Sequence, residues 1–147
     1  MGDSMEEGVG IYREEESMKK TIETLKTLQN RIKNVGLTDR GRVFNTEWMN
    51  LIELGYTLDV AQCMVHSAIN RKESRGSHQR LDGPDGAYKQ RDDVNFLKHS
   101  LAFKQEGADE PRIELSPVKI TTFQPAKRVY GAEAEAAEAA KKAKEAK

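Results

Sequence analysis

The sequence lacks several features that would assign it to common functional classes. A single cysteine, Cys63, among 147 residues excludes an intramolecular disulfide and is typical of a reducing compartment. Lysine plus arginine equal aspartate plus glutamate at 24 each, so no net positive field attracts nucleic acid or an anionic membrane surface. No apolar run approaches the roughly 20 residues that span a bilayer, and no signal peptide heads the chain. These absences predict a cytosolic domain that binds no nucleic acid.

Ligand-binding motifs are also scarce. The three histidines, His66, His78 and His99, have no paired spacing and no cysteine cluster beside them, which argues against a metal site. The stretch GVGIYR (8–13) has two glycines but lacks a third and follows no predicted strand, so it is not a dinucleotide fingerprint. Cys63 lies beside an apolar stripe, which predicts a buried, inert thiol. We therefore predict no catalytic, cofactor-binding or metal-binding residue in this chain.

Apolar periodicity predicts two long helices. Residues 14–34 place apolar side chains at three- and four-residue steps, with glutamates in the first turn and Gly36 as a stop. A second helix is predicted from an N-cap at Asn45 or Thr46 to about residue 74. Gly55 is expected on its packed face, where glycine allows two helices to approach closely. The two stripes are Met18, Ile22, Leu25, Leu28 and Ile32 in the first helix, and Trp48, Leu51, Ile52, Leu58, Val65 and Ile69 in the second.

The first residues are spaced as the end of an apolar stripe that has no beginning. This spacing predicts a truncated first helix, and hence a fragment of a longer protein. Truncation would leave an apolar groove between the two long helices, lined by Trp48 and Leu51, and an exposed groove promotes self-association. The residues of the incomplete stripe are Met1, Met5, Val9 and Tyr12.

Beyond residue 80 the pattern changes from helical to extended. Residues 97–103 alternate at strand period, and 112–120 do so around Pro117, which predicts a β-hairpin with Pro117 at an edge or bulge. The Ala-, Glu- and Lys-rich end has no large apolar side chain and is predicted to be a flexible, disordered tail. The predicted organisation is a helical bundle over 1–80, a loop plus a small β region packed on the bundle over 81–131, and the tail over 132–147.

The stretch RKESRGSHQR (71–80) admits three interpretations: a nucleic-acid patch, a catalytic loop, or the polar end of a helix. The zero net charge weakens the first. For a helix end, Arg71, Lys72 and Arg75 fall in the last turn, where cations complement the helix dipole. Gly76 then suits the left-handed position that follows a helix.

A helix end does not account for Ser77, His78 and Arg80, which follow the predicted stop. Those side chains extend from the end of a rigid helix, where they could contact a partner surface. From the residues alone, the sequence predicts a helical hairpin with a β-ribbon, used as a docking domain.

Five stretches, in order, resemble the C-terminal domain of the succinate dehydrogenase/fumarate reductase flavoprotein family. The most specific are RKESRGSHQRLD (71–82) and QRDDVNFLKHSLAFK (90–104). MEEGVGIYR (5–13), DRGRVFNT (39–46) and VKITTFQPAKRVYG (118–131) match as well, so the resemblance covers nearly the whole chain. AKRVYG followed by an Ala/Glu/Lys tail is more similar to the quinol:fumarate reductase branch than to succinate dehydrogenase. The connection LDGPDGAYKQRDD is longer than is usual in the family.

The resemblance implies a mainly α fold: a spectrin-like three-helix bundle, its first helix truncated here, followed by a small β-hairpin or extended region. It implies a parent chain that is an FAD-dependent fumarate reductase, with covalent FAD and the substrate held by upstream domains. The implied partners are the flavin and capping domains of the same polypeptide, the iron–sulfur subunit and the membrane anchor subunits. The implied location is the cytoplasmic face of the bacterial inner membrane. The same domain of a succinate dehydrogenase, or an independent helical binding module, are the alternatives.

Three residues are the predicted interdomain contacts: Arg75, His78 and Arg80. We predict that they meet carboxylates or carbonyl groups on the flavin-domain side of the parent chain. The family's catalytic and flavin-linking residues belong to upstream domains, and none matches a position here.

Overall fold

The computed structural model describes residues 1–84, 86, 88, 91–126, 131, 132 and 136, and within them the chain is mainly helical with two small two-stranded sheets. The mainly α class with a β-hairpin is confirmed, whereas the spectrin-like detail and the domain boundaries stay predictions. Most of the predicted tail (132–147) lies outside the described residues. The elements are α1 (Gly2–Val9), β1 (Tyr12–Arg13), α2 (Glu15–Ile32), α3 (Thr46–Asn70), β2 (Gln79–Arg80), α4 (Asp93–Phe96), β3 (Lys98–Phe103) and β4 (Arg112–Pro117).

The core lies where α1, α2 and α3 meet. The stripe predicted for α2 is one-sided, and Met18, Ile22 and Leu25 of that stripe are buried, as expected. Met5 of α1 packs against this core from the edge. Burial of each large apolar side chain contributes roughly 1.5–3 kcal/mol, so this shared core holds the three helices together. The buried residues are Val9, Met18, Ile22, Leu25, Leu58, Ala61, Val65 and Ala68.

Helix α3 begins as predicted but buries a different set of side chains. The side-chain Oδ1 of Asn45 accepts a hydrogen bond of 2.8 Å from the Trp48 N–H, which confirms the N-cap. Trp48 and Ile52 of the predicted stripe are exposed, because α3 carries apolar side chains on nearly every side and its period does not single out one face. At 25 residues α3 is roughly 37 Å long. No helix among the described residues combines the length and apolar character needed to cross a bilayer.

The close approach of two helices occurs at Gly8 and not at Gly55, which corrects the sequence-based expectation. A Cβ atom at Gly8 would collide with Thr21 Oγ1 and lie 3.0 Å from the carbonyl oxygen of Ser17. Around Gly55 there is nothing within 4 Å of such an atom, because this part of α3 borders an open groove. Gly8 therefore allows α1 to pack on α2.

Alanine at these two glycines should have opposite effects on stability. Gly8→Ala should lower the free energy of unfolding by about 1–3 kcal/mol, since α1 must move away from α2. Gly55→Ala should raise it by about 0.5–1 kcal/mol, since alanine has the higher helix propensity and meets no neighbour. Urea unfolding of the two variants checks both signs, and a loss of stability in Gly55→Ala would contradict the open surroundings of that residue.

The β-hairpin of β3 and β4 is antiparallel, with Lys98 paired to Pro117 and Phe103 paired to Arg112. Pro117 is the last residue of β4, an edge strand of this two-stranded sheet, where a residue without an N–H is tolerated. The loop at the hairpin tip is joined to α2 by an ion pair of 2.7 Å between Lys26 and Glu110. The hairpin thereby lies beside the helices.

Candidate functional site

The segment after α3 is extended chain with a tight turn. α3 ends at Asn70, and Arg71 already has extended dihedral angles. The backbones of Arg75 and His78 exchange hydrogen bonds of 2.8 and 3.0 Å around a turn in which Gly76 has a φ of +58°. The prediction of a helix to about residue 74, with cations in its last turn, is therefore wrong, although Gly76 is left-handed. The basic residues that the prediction misplaced are Arg71, Lys72 and Arg75.

One buried side chain satisfies the end of α3. Arg80 is 1% exposed, and its Nη1 donates to the carbonyl oxygens of Ala68, Ile69 and Arg71 at 3.4, 3.1 and 3.2 Å. A helix leaves its last carbonyl groups short of backbone partners, although Ala68 also accepts from the Arg71 N–H at 3.2 Å, and a cation there complements the helix dipole. Arg80 thus has the role that the sequence assigned to Arg71 and Lys72.

Two short parallel strands bring Arg80 back to the helix end. β2 runs beside β1, with hydrogen bonds of 3.0 Å from the Gln79 N–H to the Ile11 carbonyl and from the Leu81 N–H to the Arg13 carbonyl. Strands of two residues are too short to produce a visible alternation, so no pattern in the sequence indicated this pairing.

Asp82 binds the other side of the Arg80 guanidinium. Its Oδ1 accepts from Nε and its Oδ2 from Nη2, both at 2.7 Å, in a bidentate pair. Asp82 Oδ2 also accepts from the Glu15 N–H at 2.7 Å, at the first residue of α2. The hydrogen bonds from Arg80 lower the pKa of Asp82 from 3.8 to about 2, with burial opposing and the Glu15 N–H adding to the shift. The pair therefore links the end of α3 to the beginning of α2.

The lowered pKa of Asp82 should make stability fall in acid. A carboxyl group whose folded pKa is depressed contributes stability above its unfolded pKa and loses that contribution as the pH falls through the folded value. For Asp82 the loss should run from about pH 4 to about pH 2 and amount to roughly 2 kcal/mol. Urea unfolding at a series of pH values should show this slope, and Asp82→Asn should flatten it. An equal slope in Asp82→Asn would assign the acid sensitivity to other groups.

A second carboxylate, the fully buried Glu73, lies between two arginines. Its oxygens accept hydrogen bonds from Arg71 Nη1 at 2.5 Å, Arg75 Nε at 2.9 Å, Arg75 Nη2 at 3.1 Å and the Asp92 N–H at 2.6 Å. Burial tends to raise the pKa of Glu73, but the bonds from Arg75, Asp92 and Arg71 together lower it below its ordinary value. Glu73 is therefore an ionised, fully buried carboxylate at neutral pH.

The two arginines on Glu73 reach the β-hairpin. They belong to what we call the charged cluster, which consists of Arg71, Glu73, Arg75, His78, Arg80 and Asp82. Arg71 donates to the carbonyl oxygens of Phe96 at 2.7 Å and Lys98 at 2.8 Å, where α4 meets β3. Arg75 Nη2 donates to Asp93 Oδ1 at 2.6 Å. The cluster thus connects α3, α4 and β3 through charged side chains.

His78 completes the cluster as a neutral imidazole. Its Nε2 lies 2.9 Å from the carbonyl oxygen of Arg71 and must donate, so its Nδ1 accepts from Arg13 Nη1 at 2.8 Å. Burial lowers the pKa of His78, the Arg71 carbonyl opposes this, and the charges of Arg13, Arg80 and Arg71 lower it further. A protonated ring would place two donors face to face at Nδ1.

The structure brings the three predicted contact residues, Arg75, His78 and Arg80, into this one cluster. Their contact with a flavin domain stays a prediction. Within this chain, Arg80 is buried and its cation is fully used, whereas the Arg75 side chain is 27% exposed and presents an edge to solvent. The cluster can hold the loop from 71 to 82 in a fixed conformation and leave the edge of Arg75 accessible to a partner.

Sequence reasoning missed the acidic partners, Glu73 and Asp82. A signal was available: an acidic residue stands two positions from an arginine in RKESR, RLD and RDD. Residues i and i+2 lie on the same side of an extended chain, so such spacing favours pairing once the segment is not helical.

The groove predicted between the two long helices is present, with a volume of about 640 Å³. Trp48 and Leu51 line it, and Lys104 and Pro111 of the hairpin loop border it. Cys63 is half-buried in this groove, which corrects the prediction of a buried thiol. Self-association through the groove stays a prediction.

The described residues give little support for a metal site or a phosphate-binding site. Among the described residues, no three His, Cys, Asp or Glu side chains are grouped so as to hold a metal ion. The glycines of GVGIYR are used in packing: Gly8 faces Thr21, and a Cβ atom at Gly10 would lie 2.5 Å from the carbonyl oxygen of Glu6. These residues do not fit a dinucleotide phosphate, which requires backbone N–H groups open at the start of a helix after a strand.

Comparison with known proteins gives consistent matches. The family model "Fumarate reductase flavoprotein C-term" matches residues 1–130. The fumarate reductase flavoprotein subunit of Haemophilus influenzae is 60% identical over 145 residues, which cover 99% of this chain and 23% of that protein. The succinate dehydrogenase flavoprotein subunit of Coxiella burnetii is 36% identical over 128 residues, covering 87% of this chain and 21% of that protein.

A solved structure agrees with the sequence matches. The Escherichia coli quinol fumarate reductase with a point mutation in FrdA has a TM-score of 0.79 and 59% identity, over 88% of this chain and 21% of that one. The chain spans about a quarter or less of the length of the relatives it matches. It belongs to the family of fumarate reductase flavoprotein C-terminal domains.

Proposed function

We propose that this chain is the C-terminal docking domain of a longer flavoprotein subunit of quinol:fumarate reductase. The parent chain reduces fumarate to succinate in anaerobic respiration, and its other domains hold FAD and the substrate. Family membership and the 60% identity to the Haemophilus influenzae subunit support this assignment. In this proposal the domain itself supplies a binding surface for the rest of the parent chain.

One observation carries the docking role: α3 has a second apolar face, directed away from the core. We call it the outer face of α3. Its five side chains recur at three- and four-residue steps on the side opposite Leu58 and Val65, and they are between 42 and 68% exposed. Five exposed apolar side chains on one side of a helix, with the charged Glu53 among them, are typical of an interaction site. The outer face consists of Met49, Ile52, Tyr56, Val60 and Met64.

The remainder of the parent chain is the partner that this surface fits. The relatives that contain this domain have more than three quarters of their length outside it, and that length includes the domains to which it is covalently joined. The charged cluster next to α3 holds the loop from 71 to 82 in place, and the exposed edge of Arg75 then contacts the flavin-domain side. The iron–sulfur subunit and membrane anchors complete the complex at the cytoplasmic face of the inner membrane.

The test is a polar outer face in the full-length flavoprotein. Met49→Glu combined with Val60→Glu, at two positions of the outer face that do not line the groove, should lower flavin content and fumarate reduction by about ten-fold or more, because two carboxylates would be buried without partners. The same pair in the 147-residue chain alone should leave the melting temperature unchanged, since both side chains face solvent there.

Asn50→Glu is the matched control, because Asn50 is exposed on the same helix and lies about 100° around the axis from the centre of the outer face. It should leave flavin content and activity as in the wild type. Full activity in the Met49, Val60 double variant would remove the support for docking through α3.

The second candidate is the same domain in a succinate dehydrogenase, favoured by the 36% identity to the Coxiella burnetii subunit. The ratio of fumarate reduction to succinate oxidation in the assembled complex separates the two enzymes. An independent binding module is the third candidate. It is excluded if the reading frame continues upstream of Met1 into a flavin-binding domain.

A further inference from the structure

A small pocket lies where the end of α1, β1, α3 and β3 come together, beside the outer face of α3. Its volume is about 230 Å³. No acidic residue lines it, whereas three of its lining side chains are basic: Arg13, Arg71 and His78. The Ser100 hydroxyl at its wall accepts a hydrogen bond from Arg71 Nη2 at 3.2 Å, which leaves the hydroxyl proton available to an acceptor.

The charge of Arg13 is not balanced within the described part of the chain. Its Nε donates to the carbonyl oxygen of Gly10 at 2.6 Å and its Nη1 to His78 at 2.8 Å, and both acceptors are neutral. Among the described residues, no carboxylate lies within 4 Å of the Arg13 guanidinium. Arg71 and Arg80, by contrast, each have a carboxylate at 2.5–2.7 Å. Burial, and then the charge of Arg80, lower the pKa of Arg13, as expected for a cation that has no counter-ion.

Exposed apolar side chains lie in and next to the pocket-lining segments. Met64 lines the pocket and also belongs to the outer face of α3, and Ile11 and Tyr12, the residues before Arg13, are exposed. A protein surface that covers the outer face would therefore also cover the pocket. Covering the pocket would remove Arg13 from contact with water, and burial of a cation without a counter-ion is strongly unfavourable.

We propose that the pocket receives an aspartate or glutamate side chain from another domain of the parent flavoprotein, which pairs with Arg13 and accepts from Ser100. This inference rests on the docking function proposed above. It adds a specific electrostatic contact to an apolar interface, and such contacts fix the register of two surfaces. The partner chemistry is a carboxylate because the pocket offers cations and a hydroxyl donor and no acid.

The test uses the full-length flavoprotein with Arg13→Met, and with Arg112→Met as the control, since Arg112 is half-exposed on β4. Amide hydrogen exchange of residues 63–68 and 78–81 reports whether the pocket is covered. Arg13→Met should speed that exchange about 30-fold, because the partner carboxylate is left buried and unpaired, while Arg112→Met should not. Selection for suppressors of Arg13→Glu should recover changes of Asp or Glu to Lys or Arg outside this chain.

Three other outcomes would each contradict a named part of the proposal. Wild-type exchange in the full-length Arg13→Met protein overturns the carboxylate contact but leaves docking intact. An equal increase in the 147-residue chain carrying Arg13→Met assigns Arg13 a structural role and also overturns the contact. In the wild type, the outer face and the pocket could be protected from exchange to the same extent in the full-length protein and in the 147-residue chain. Neither surface would then be covered by another domain, and both the contact and the proposed function would be wrong.

Discussion

Replacing Arg80 by methionine should lower the free energy of unfolding by about 3–5 kcal/mol, more than the loss of any exposed ion pair in the described part of the chain. Methionine fills similar space but donates no hydrogen bond. Asp82 would keep only the Glu15 N–H as a partner in a site that is 24% exposed. The Ile69 carbonyl would lose the Arg80 donor as well, and the Ala68 carbonyl would keep only the Arg71 N–H.

Lysine at position 80 separates the two contributions. Its ammonium group can reach either Asp82 or the helix carbonyls but lacks the planar fork that joins both, so Arg80→Lys should fall between the wild type and Arg80→Met. Lys19→Met is the control, because the Lys19–Glu15 pair is solvent-exposed and should contribute little. Urea unfolding followed by circular dichroism gives all three values. Equal stability of Arg80→Met and Lys19→Met would show that the buried guanidinium does not hold α3 and α2 together.

The sequence predicts α2 well and α3 less well for a physical reason. Only one side of α2 is apolar, so the periodicity identifies both the helix and its buried face, from Met18 to Leu25. α3 serves two surfaces, the core and the outer face, and therefore shows apolar residues on opposite sides. Its N-cap could be predicted because Asn45 acts through local hydrogen bonds. Its C-terminal end could not, because the residue that satisfies it, Arg80, lies ten positions beyond Asn70.

The charged cluster was located in the sequence but not understood. His78 and Arg80 follow the predicted helix stop and Arg75 lies in the last predicted turn before it, and the structure does bring the three together. Their partners depend on the pairing of β1 with β2, which joins residues more than 60 positions apart. Periodicity carries no information about such long-range contacts. The same limit applies to Gly8, whose importance depends on Thr21 across the interface of α1 and α2.

Replacing Glu73 by glutamine should also be costly, by about 3–5 kcal/mol, although the two side chains have nearly the same shape. Four hydrogen bonds converge on the Glu73 carboxylate, from Arg71, from two atoms of Arg75 and from the Asp92 N–H. A glutamine amide has only one acceptor oxygen, so its NH₂ group must face donors. The charges of two partly buried arginines would also lose their shared counter-ion.

The pH dependence distinguishes this role of Glu73 from simple packing. Because its folded pKa is lowered, the carboxylate contributes stability above its unfolded pKa of about 4.5 and loses that contribution as the pH falls through the folded value. The gap in unfolding free energy between wild type and Glu73→Gln should therefore be full at pH 7 and narrow in acid below about pH 4.5. Glu114→Gln, at an exposed pair with Arg112, should match the wild type throughout. A gap that stays constant from pH 7 to pH 3 would mean that shape, and not charge, sets the cost at position 73, and the ion-pair account of the cluster would then be wrong.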